Sequence, residues 1–242
     1  MIEVKSVEKK FDTKEVLRGI DASFKEGECS LVIGKSGAGK TVLLKTVVGL
    51  IPPDKGEVLY NNTSLYDLSS EELKTLRQQV GMLFQGSALF DSMTIFENIM
   101  FPLDMFSTYK PAQRIQIAKD CIERVKLYDA RYKYPAEVSG GMMKRAAIAR
   151  AIALGPKYLF CDEPNSGLDP ETSRHIDELI HSITKESNIT TIINTHDMKS
   201  VTNIGDHVIF VNKGRIAWEG RGADIHSSDN EKLKNFVFVS EL

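Results

Sequence analysis

Cysteine is scarce in this chain: Cys29, Cys121 and Cys161 are the only three among 242 residues, and none lies near another. Three scattered thiols cannot build a disulfide framework or a cysteine-based zinc site, so they are expected to stay reduced. No sign of charge dominates either. Lys and Arg total 31 against 33 Asp and Glu, a net charge of −2, which argues against nucleic acid as the main partner. No run approaches the roughly 18 consecutive apolar residues of a membrane span. Met1 to Lys14 alternates charge with single apolar residues and has no secretory h-region. Repeats and low-complexity tracts are absent. With 42% hydrophobic and 26% charged residues, disorder and collagen-like structure are excluded. The length suits one large domain or two intimate lobes, with cores that need no covalent staple. Composition thus leads us to expect a soluble, intracellular chain and says nothing of its task.

The patterning is more informative. Ile2 to Glu8 alternates as a half-buried strand, and Val16 to Phe24 gives a second. After the turn at Glu26-Gly27, Cys29 to Ile33 reads as a buried strand running into Gly34, and Thr41 to Leu50 has helical spacing. Ser69 and Glu72 form a capping box for a short helix ending near Gln79, followed by a strand from Val80 to Gln85. From Phe90 to Arg150 the pattern is helical. Pro111 opens one helix, on which Ala118, Cys121, Ile122 and Val125 share a face, which places Cys121 in a core. A helix from Gly141 stops at Gly155-Pro156. The strand Tyr158 to Cys161, a helix from Pro170 and the strand Thr190 to Asn194 restore βαβ alternation, and a hairpin turns about Asn212-Lys213-Gly214. A parallel α/β core with a helical insertion is the architecture expected.

Gly34-Lys35-Ser36-Gly37-Ala38-Gly39-Lys40-Thr41 fits G-x-x-x-x-G-K-[ST]. The three glycines let the backbone turn its N–H groups inward at phosphates, and the helix that follows favours anions at its start. Lys40 is placed for the β- and γ-phosphates, and the Thr41 hydroxyl for Mg²⁺. Chance supplies about one such match per hundred chains of this length, and here the required strand and helix flank it. Tyr158 to Glu163 is an apolar strand ending in two acids. Asp162 is expected to hold Mg²⁺ through water, and Glu163 to polarise an attacking water as general base.

Ser139-Gly140-Gly141-Met142 begins a helix 23 residues before Asp162. Ser139 is a good N-cap, and the two glycines bare the N–H groups of a helix start, a second anion site. With these motifs in this order the chain resembles the ATP-binding-cassette (ABC) ATPases over about residues 2 to 225, although Val138 and Met142 replace the outer members of their Leu-Ser-Gly-Gly-Gln signature. The resemblance implies an α/β P-loop ATPase fold. Its RecA-like core (1–85 and 156–225) would carry an N-terminal antiparallel β-subdomain and an inserted helical subdomain (86–155), with a tail over 226–242. It implies ATP and Mg²⁺ as cofactors and a head-to-tail homodimer in which Ser139, Gly140 and Gly141 complete the partner's nucleotide pocket. It also implies that Phe11 stacks on adenine, unless it merely packs at a strand end, with Val16 near it. Gln85 would sense Mg²⁺ and the γ-phosphate, Asp169 would belong to the D-loop as well as capping a helix, and His196 would contact the γ-phosphate. His175, His181, His207 and His226 lack metal-ligand spacing.

The segment Leu83 to Leu103 offers an apolar surface for a helix of a membrane permease. Together with Met142 it resembles the ATPases of Mce/Mla-type phospholipid transporters, which implies an MCE-type lipid-binding protein as an indirect partner. It also implies a peripheral location on the cytoplasmic face of the inner membrane. Other cassette systems stand as alternatives: lipoprotein release, cell division, amino-acid uptake, or a non-transport ATPase. A regulatory ATP binder would not need Glu163 and His196, and a small-molecule kinase would leave the Ser139 run unexplained. Asn230 to Val239 reads as a short amphipathic helix whose Phe236 to Val239 cluster either docks on a neighbour or packs on its own chain.

Overall fold

The computed structural model describes residues 1–240. Among them lie two sheets. β1 (Ile2–Phe11), β2 (Lys14–Phe24), β4 (Lys55–Tyr60) and β5 (Thr63–Ser64) form an antiparallel sheet in the order β2-β1-β4-β5. The second sheet is built from β3 (Cys29–Ile33), β6 (Val80–Leu83), β7 (Tyr158–Asp162), β8 (Thr190–Asn194), β9 (His207–Asn212) and β10 (Arg215–Gly220). Its order is β10-β9-β3-β8-β7-β6, with all pairs parallel except β9 and β10.

β3 and β8 are buried at every position, as strands covered on both faces must be. Their side chains alternate between two cores. Leu31, Ile33, Cys161 and Ile193 join the core built with the helical segment, whereas Val32, Phe160 and Ile192 pack with α1 (Lys40–Val48) and the apolar face of β1 and β2. Because β3, β6, β7 and β8 are parallel, the residues after their carboxyl ends meet at one edge of the sheet, the usual place for a ligand in such folds. The expected α/β architecture is therefore the one observed.

The helices are α2 (Ser70–Gln78), α3 (Ile95–Phe106), α4 (Pro111–Arg124), α5 (Gly140–Ile152), α6 (Pro170–Glu186), α7 (Met198–Ile204) and α8 (Glu231–Ser240). Ser69 and Glu72 make both bonds of the capping box at α2, and Thr94 and Glu97 do the same at α3. Pro111 opens α4, and Cys121 is half-buried against the core. Burial pushes the Cys29 thiol up to about 12 and that of Cys121 to about 11, and it raises Cys161 as well, so none is poised to ionise at neutral pH.

Three boundaries differ from the sequence reading. β6 ends at Leu83 because its pairing with β7 stops at Cys161, so Gln85 lies in the loop beyond the strand. α5 starts at Gly140 and ends at Ile152. β4, β5 and α7 are additional: β4 and β5 are defined by their pairing with β1 and with each other, and α7 is a seven-residue helix capped by Asp197. Among the described residues no helix is long and apolar enough to cross a membrane.

The tail cluster divides. Phe236 and Val237 are buried, with the Phe236 ring stacked on Phe210 at 5.0 Å, while Phe238 and Val239 stay exposed. Phe236→Ala is expected to destabilise the chain by about 3 kcal/mol, read as a lowered urea midpoint at unchanged slope. A midpoint equal to wild type would show that α8 adds nothing to the fold.

Candidate functional site

Gly34 to Gly39 connects the end of β3 to α1. Gly34 has φ 151°, and a Cβ there would stand 2.3 Å from the Val211 carbonyl oxygen; Gly39 has φ 110° with the Val16 carbonyl at 3.0 Å. Any other residue would push the loop off β9 and β2. α1 has no side-chain cap and no acid in its first turn, unlike α2, α3 and α6, which Ser69, Thr94 and Asp169 cap. Its first N–H groups thus lack the side-chain acceptors found elsewhere, which is the condition for binding phosphate oxygens.

The buried Lys40 ammonium donates to the Gly34 carbonyl at 2.7 Å. Desolvation holds its pKa below the ordinary lysine range, against the opposing pull of Glu163 and Asp162. A buried cation whose neutral partner is a carbonyl is set for an anion.

The neighbouring strands bring the acids. Asp162, at the end of β7, accepts from the Thr41 hydroxyl at 3.4 Å and from the Asn194 amide at 3.0 Å. Glu163 follows with φ 50°; its N–H donates to the Asn194 carbonyl at 2.9 Å. This left-handed backbone turns its side chain toward His196, whose Nδ1 lies 2.7 Å from the Glu163 Oε2. Gln85 Nε2 donates to the Ser166 hydroxyl at 3.3 Å.

A cavity of about 790 Å³ gathers Val16, Gly34, Lys35, Ser36, Gly37, Gly39, Lys40, Thr41, Gln85, Glu163 and His196. Ala38 is buried behind the loop, where its carbonyl accepts from Gly214. The hydroxyl of Thr41, the Asp162 carboxylate and the Gln85 amide are hard oxygen donors, and the adjacency of the first two fits Mg²⁺ with phosphates and water completing its shell. Lys14, Phe236, Val239 and Ser240 also line this cavity. Sequence reasoning missed them; Lys14 is recognisable only as the residue that opens β2 beside Val16, and the α8 residues arrive by tertiary packing alone.

Other expected residues stand elsewhere. Phe11 is exposed at the end of β1, with the Lys9 ammonium 5.7 Å from its ring centre, and does not line the cavity. Ser139 and Gly141 line a separate cavity of about 500 Å³ beside α6, where Ser139 accepts from Met142 N at 3.3 Å. Asp169 accepts from Thr172 N at 2.9 Å as the cap of α6. Within one chain, then, the Ser139 run and Asp169 do not meet the phosphate loop.

A buried network supports the loop after Glu163. Asn165 donates to Asp177 at 2.8 Å and to Ser200 at 3.1 Å.

An uncapped anion cradle at the centre of a parallel sheet, closed by a strand-end aspartate and glutamate, defines a P-loop ATPase. A family model described as "ABC transporter" matches residues 17–166. The methionine import ATP-binding protein MetN of Carboxydothermus hydrogenoformans is 41% identical over 249 residues, covering 100% of this chain and 74% of that protein. The same-named protein of Clostridium tetani is 36% identical, covering 100% and 76%. The dimeric post-hydrolysis structure of the ATP-binding cassette MJ0796 bound to ADP and Pi superposes with a TM-score of 0.83 at 30% identity, covering 91% of this chain and 98% of that one. The chain belongs to the ABC transporter family, and it is an ATP-hydrolysing enzyme that uses ATP and Mg²⁺.

These relatives correct the narrower resemblance to Mce/Mla phospholipid transporters, and with it lipid transport and the MCE-type partner. The features that carried it are packing features. Met142 is half-buried against the helical core, and in the segment after Gln85 the buried Asn98 holds Phe90, Met93 and Thr94 by their backbones. Neither reports on a cargo.

The Asp177 carboxyl is pushed up to about 6 by burial. Its unfolded value is near 4, so the ionised form penalises the fold as pH rises from about 4 to 6, fully above that. Asp177→Asn is expected to melt above wild type at about pH 8, with the advantage shrinking between about pH 6 and 4. A pH-independent difference in Tm would remove Asp177 as its source.

Proposed function

We propose that this chain is the ATPase subunit of an amino-acid importer, with methionine as cargo. It would work as a head-to-tail pair on the cytoplasmic face beneath a membrane permease. The observation that supports the cargo is the 41% identity, along the whole chain, to a methionine import ATP-binding protein. Amino-acid uptake was an alternative in the sequence reading, and it replaces the phospholipid reading. The dimeric form of the MJ0796 cassette supports the pair.

In this reading the core comprises 1–85 and 156–225, the helical part 86–155 and the tail 226–242. The amides of Gly34 to Thr41 hold the phosphates, and Lys40 exchanges its Gly34 carbonyl for the β- and γ-oxygens. Thr41, Asp162 and Gln85 would hold Mg²⁺, which would supply positive charge to neutralise the phosphates. Glu163 accepts a proton from the water whose oxygen attacks the γ-phosphorus, as the bond to ADP breaks. His196 fixes the Glu163 carboxylate and faces the γ-phosphate. Val16 flanks the adenine ring, and Phe11, exposed at the end of β1 outside the cavity, stacks on it only by turning toward Val16. Ser139, Gly140, Gly141 and Asp169 serve the partner's nucleotide, which accounts for their distance from their own phosphate loop. ATP favours the closed pair through this differential contact, and hydrolysis releases it.

Phe84, Phe90, Phe101, Pro102 and Phe106 line a groove of about 500 Å³ with Arg77. Phe84, Phe90 and Phe106 are exposed along it, and a permease helix is its proposed occupant.

Lys40→Ala is expected to weaken ATP binding at least about tenfold, by fluorescent-nucleotide titration; unchanged affinity would sink the phosphate-loop role. Glu163→Gln should bind ATP, stop turnover and accumulate a closed dimer, whereas wild-type turnover would remove Glu163 as base.

Proteoliposomes holding the chain with its co-purified permease should take up labelled methionine only with ATP. Phe90→Glu should lose the permease while keeping ATP binding. ATP-driven transport of another solute, with methionine ignored, would replace the cargo.

A further inference from the structure

β8 reads Thr190-Thr191-Ile192-Ile193-Asn194 and is buried throughout. Asn194, fully buried at its end, is paired in register with Val32 of β3 on one side and Asp162 of β7 on the other. Residues in register across a parallel ladder share a face of the sheet, and so do residues two apart along a strand. Val32, Phe160 and Ile192 lie on the face that packs with Leu43, Leu44 and Val47 of α1. Asn194 and Asp162 therefore stand on the side from which α1 brings Thr41.

The two ends of the Asn194 amide are used differently. Its Nδ2 donates to the Asp162 Oδ1 at 3.0 Å, while the Thr41 hydroxyl reaches the same oxygen at 3.4 Å. The amide makes the tighter bond, and among the described residues no hydrogen bond falls on the Asp162 Oδ2. The Asn194 Oδ1 is buried without a partner. A metal-holding carboxylate only accepts hydrogen bonds, so the amide has to present its nitrogen and leave its oxygen stranded. A stranded buried carbonyl costs stability, which an apolar side chain of similar shape would avoid. The fold has no use for this amide; the carboxylate does.

Asn194 does not line the nucleotide cavity, so its side chain acts through Asp162. Its main-chain carbonyl accepts separately from the Glu163 N–H at 2.9 Å. That backbone bond is available to any side chain at 194, and substitution therefore isolates the contact with Asp162.

We propose that Asn194 is a positioning residue for the cation site. Its amide fixes the rotation of the Asp162 carboxylate, with Oδ1 toward the Thr41 hydroxyl and Oδ2 left for a divalent cation and its water. A hydrogen-bond partner behind a metal ligand raises metal affinity by fixing the ligand's orientation. The stranded Oδ1 is the stability given up for that orientation. This inference deepens the reading above and rests on the role given there to Asp162 with Mg²⁺.

The test places Asn194→Leu, which keeps the branching of the side chain and loses the amide, in the full Glu163→Gln chain, where ATP is not consumed. Mn²⁺ added to protein with equimolar ATP is followed by the loss of its free EPR signal. Its affinity should fall about tenfold against the Glu163→Gln parent. Binding of fluorescent ATP in EDTA should stay within about twofold, because the phosphate loop is untouched. Without nucleotide, Asn194→Leu should melt at or above the parent, since the stranded carbonyl is gone. Unchanged Mn²⁺ affinity overturns the proposal. A lowered Tm with ATP binding in EDTA weakened as much as Mn²⁺ binding marks a structural role and overturns it too.

Asn194→Ala, which cannot overpack, should lose Mn²⁺ affinity in the same way and carries the test where leucine does not fold. In an Asp162→Ala chain, adding Asn194→Leu should change Mn²⁺ affinity no further. A further loss there shows that Asn194 acts by another route and overturns the proposal. Asp162→Ala binding Mn²⁺ as tightly as its parent overturns the cation reading of the site, and the proposal with it, in a chain where Asn194 is intact.

Discussion

The start of α1, left without a side-chain cap in the middle of a parallel sheet, is the constraint on which the rest depends. The starts of α2, α3 and α6 take Ser69, Thr94 and Asp169 to satisfy their first amides. This one takes nothing, and a buried lysine stands beside it with a backbone carbonyl as its partner. Such an arrangement leaves backbone donors without side-chain acceptors beside a desolvated cation, which a polyanion relieves. The glycines are its steric condition, since a side chain at Gly34 would collide with the Val211 carbonyl.

Around that cradle the parallel sheet supplies convergence. β7 and β8 end beside the loop after β3, so Asp162 meets Thr41 and Asn194, and Glu163 meets His196. The left-handed backbone at Glu163 costs about 1–3 kcal/mol. It is held by the bond from its N–H to the Asn194 carbonyl. Strain of this kind, at a carboxylate that contacts His196 and lines the phosphate cavity, fits the catalytic role proposed for it.

The helical part follows a different logic. Its α3–α5 core is apolar, but its link to the nucleotide cavity is made by cations bonding loop carbonyls. Packing holds the part together, and the cationic bonds fasten the loop after β6 to α5. The groove beside the same loop is apolar and exposed. In the proposed function the nucleotide and the permease both bear on this one stretch of irregular backbone.

Much of this was legible in the residues alone. The phosphate loop, the acidic strand end, the Ser69 capping box and the Pro111 helix start are local devices whose chemistry lies within a few consecutive residues, and each appears where its spacing places it. The cargo was not legible: Met142 and the segment after Gln85 serve packing and loop support, and the relatives overturned the lipid reading drawn from them. Three things belonged to the tertiary structure. Gln85 lies beyond its strand because pairing with β7 ends at Leu83. α8 reaches the nucleotide cavity because Phe236 stacks on Phe210. Lys144 and Gln85, 59 residues apart, are bonded because α5 packs beside β6. Local sequence determines which groups can bind an anion or cap a helix; only long-range packing decides which of them share a cavity and which are bonded across the chain.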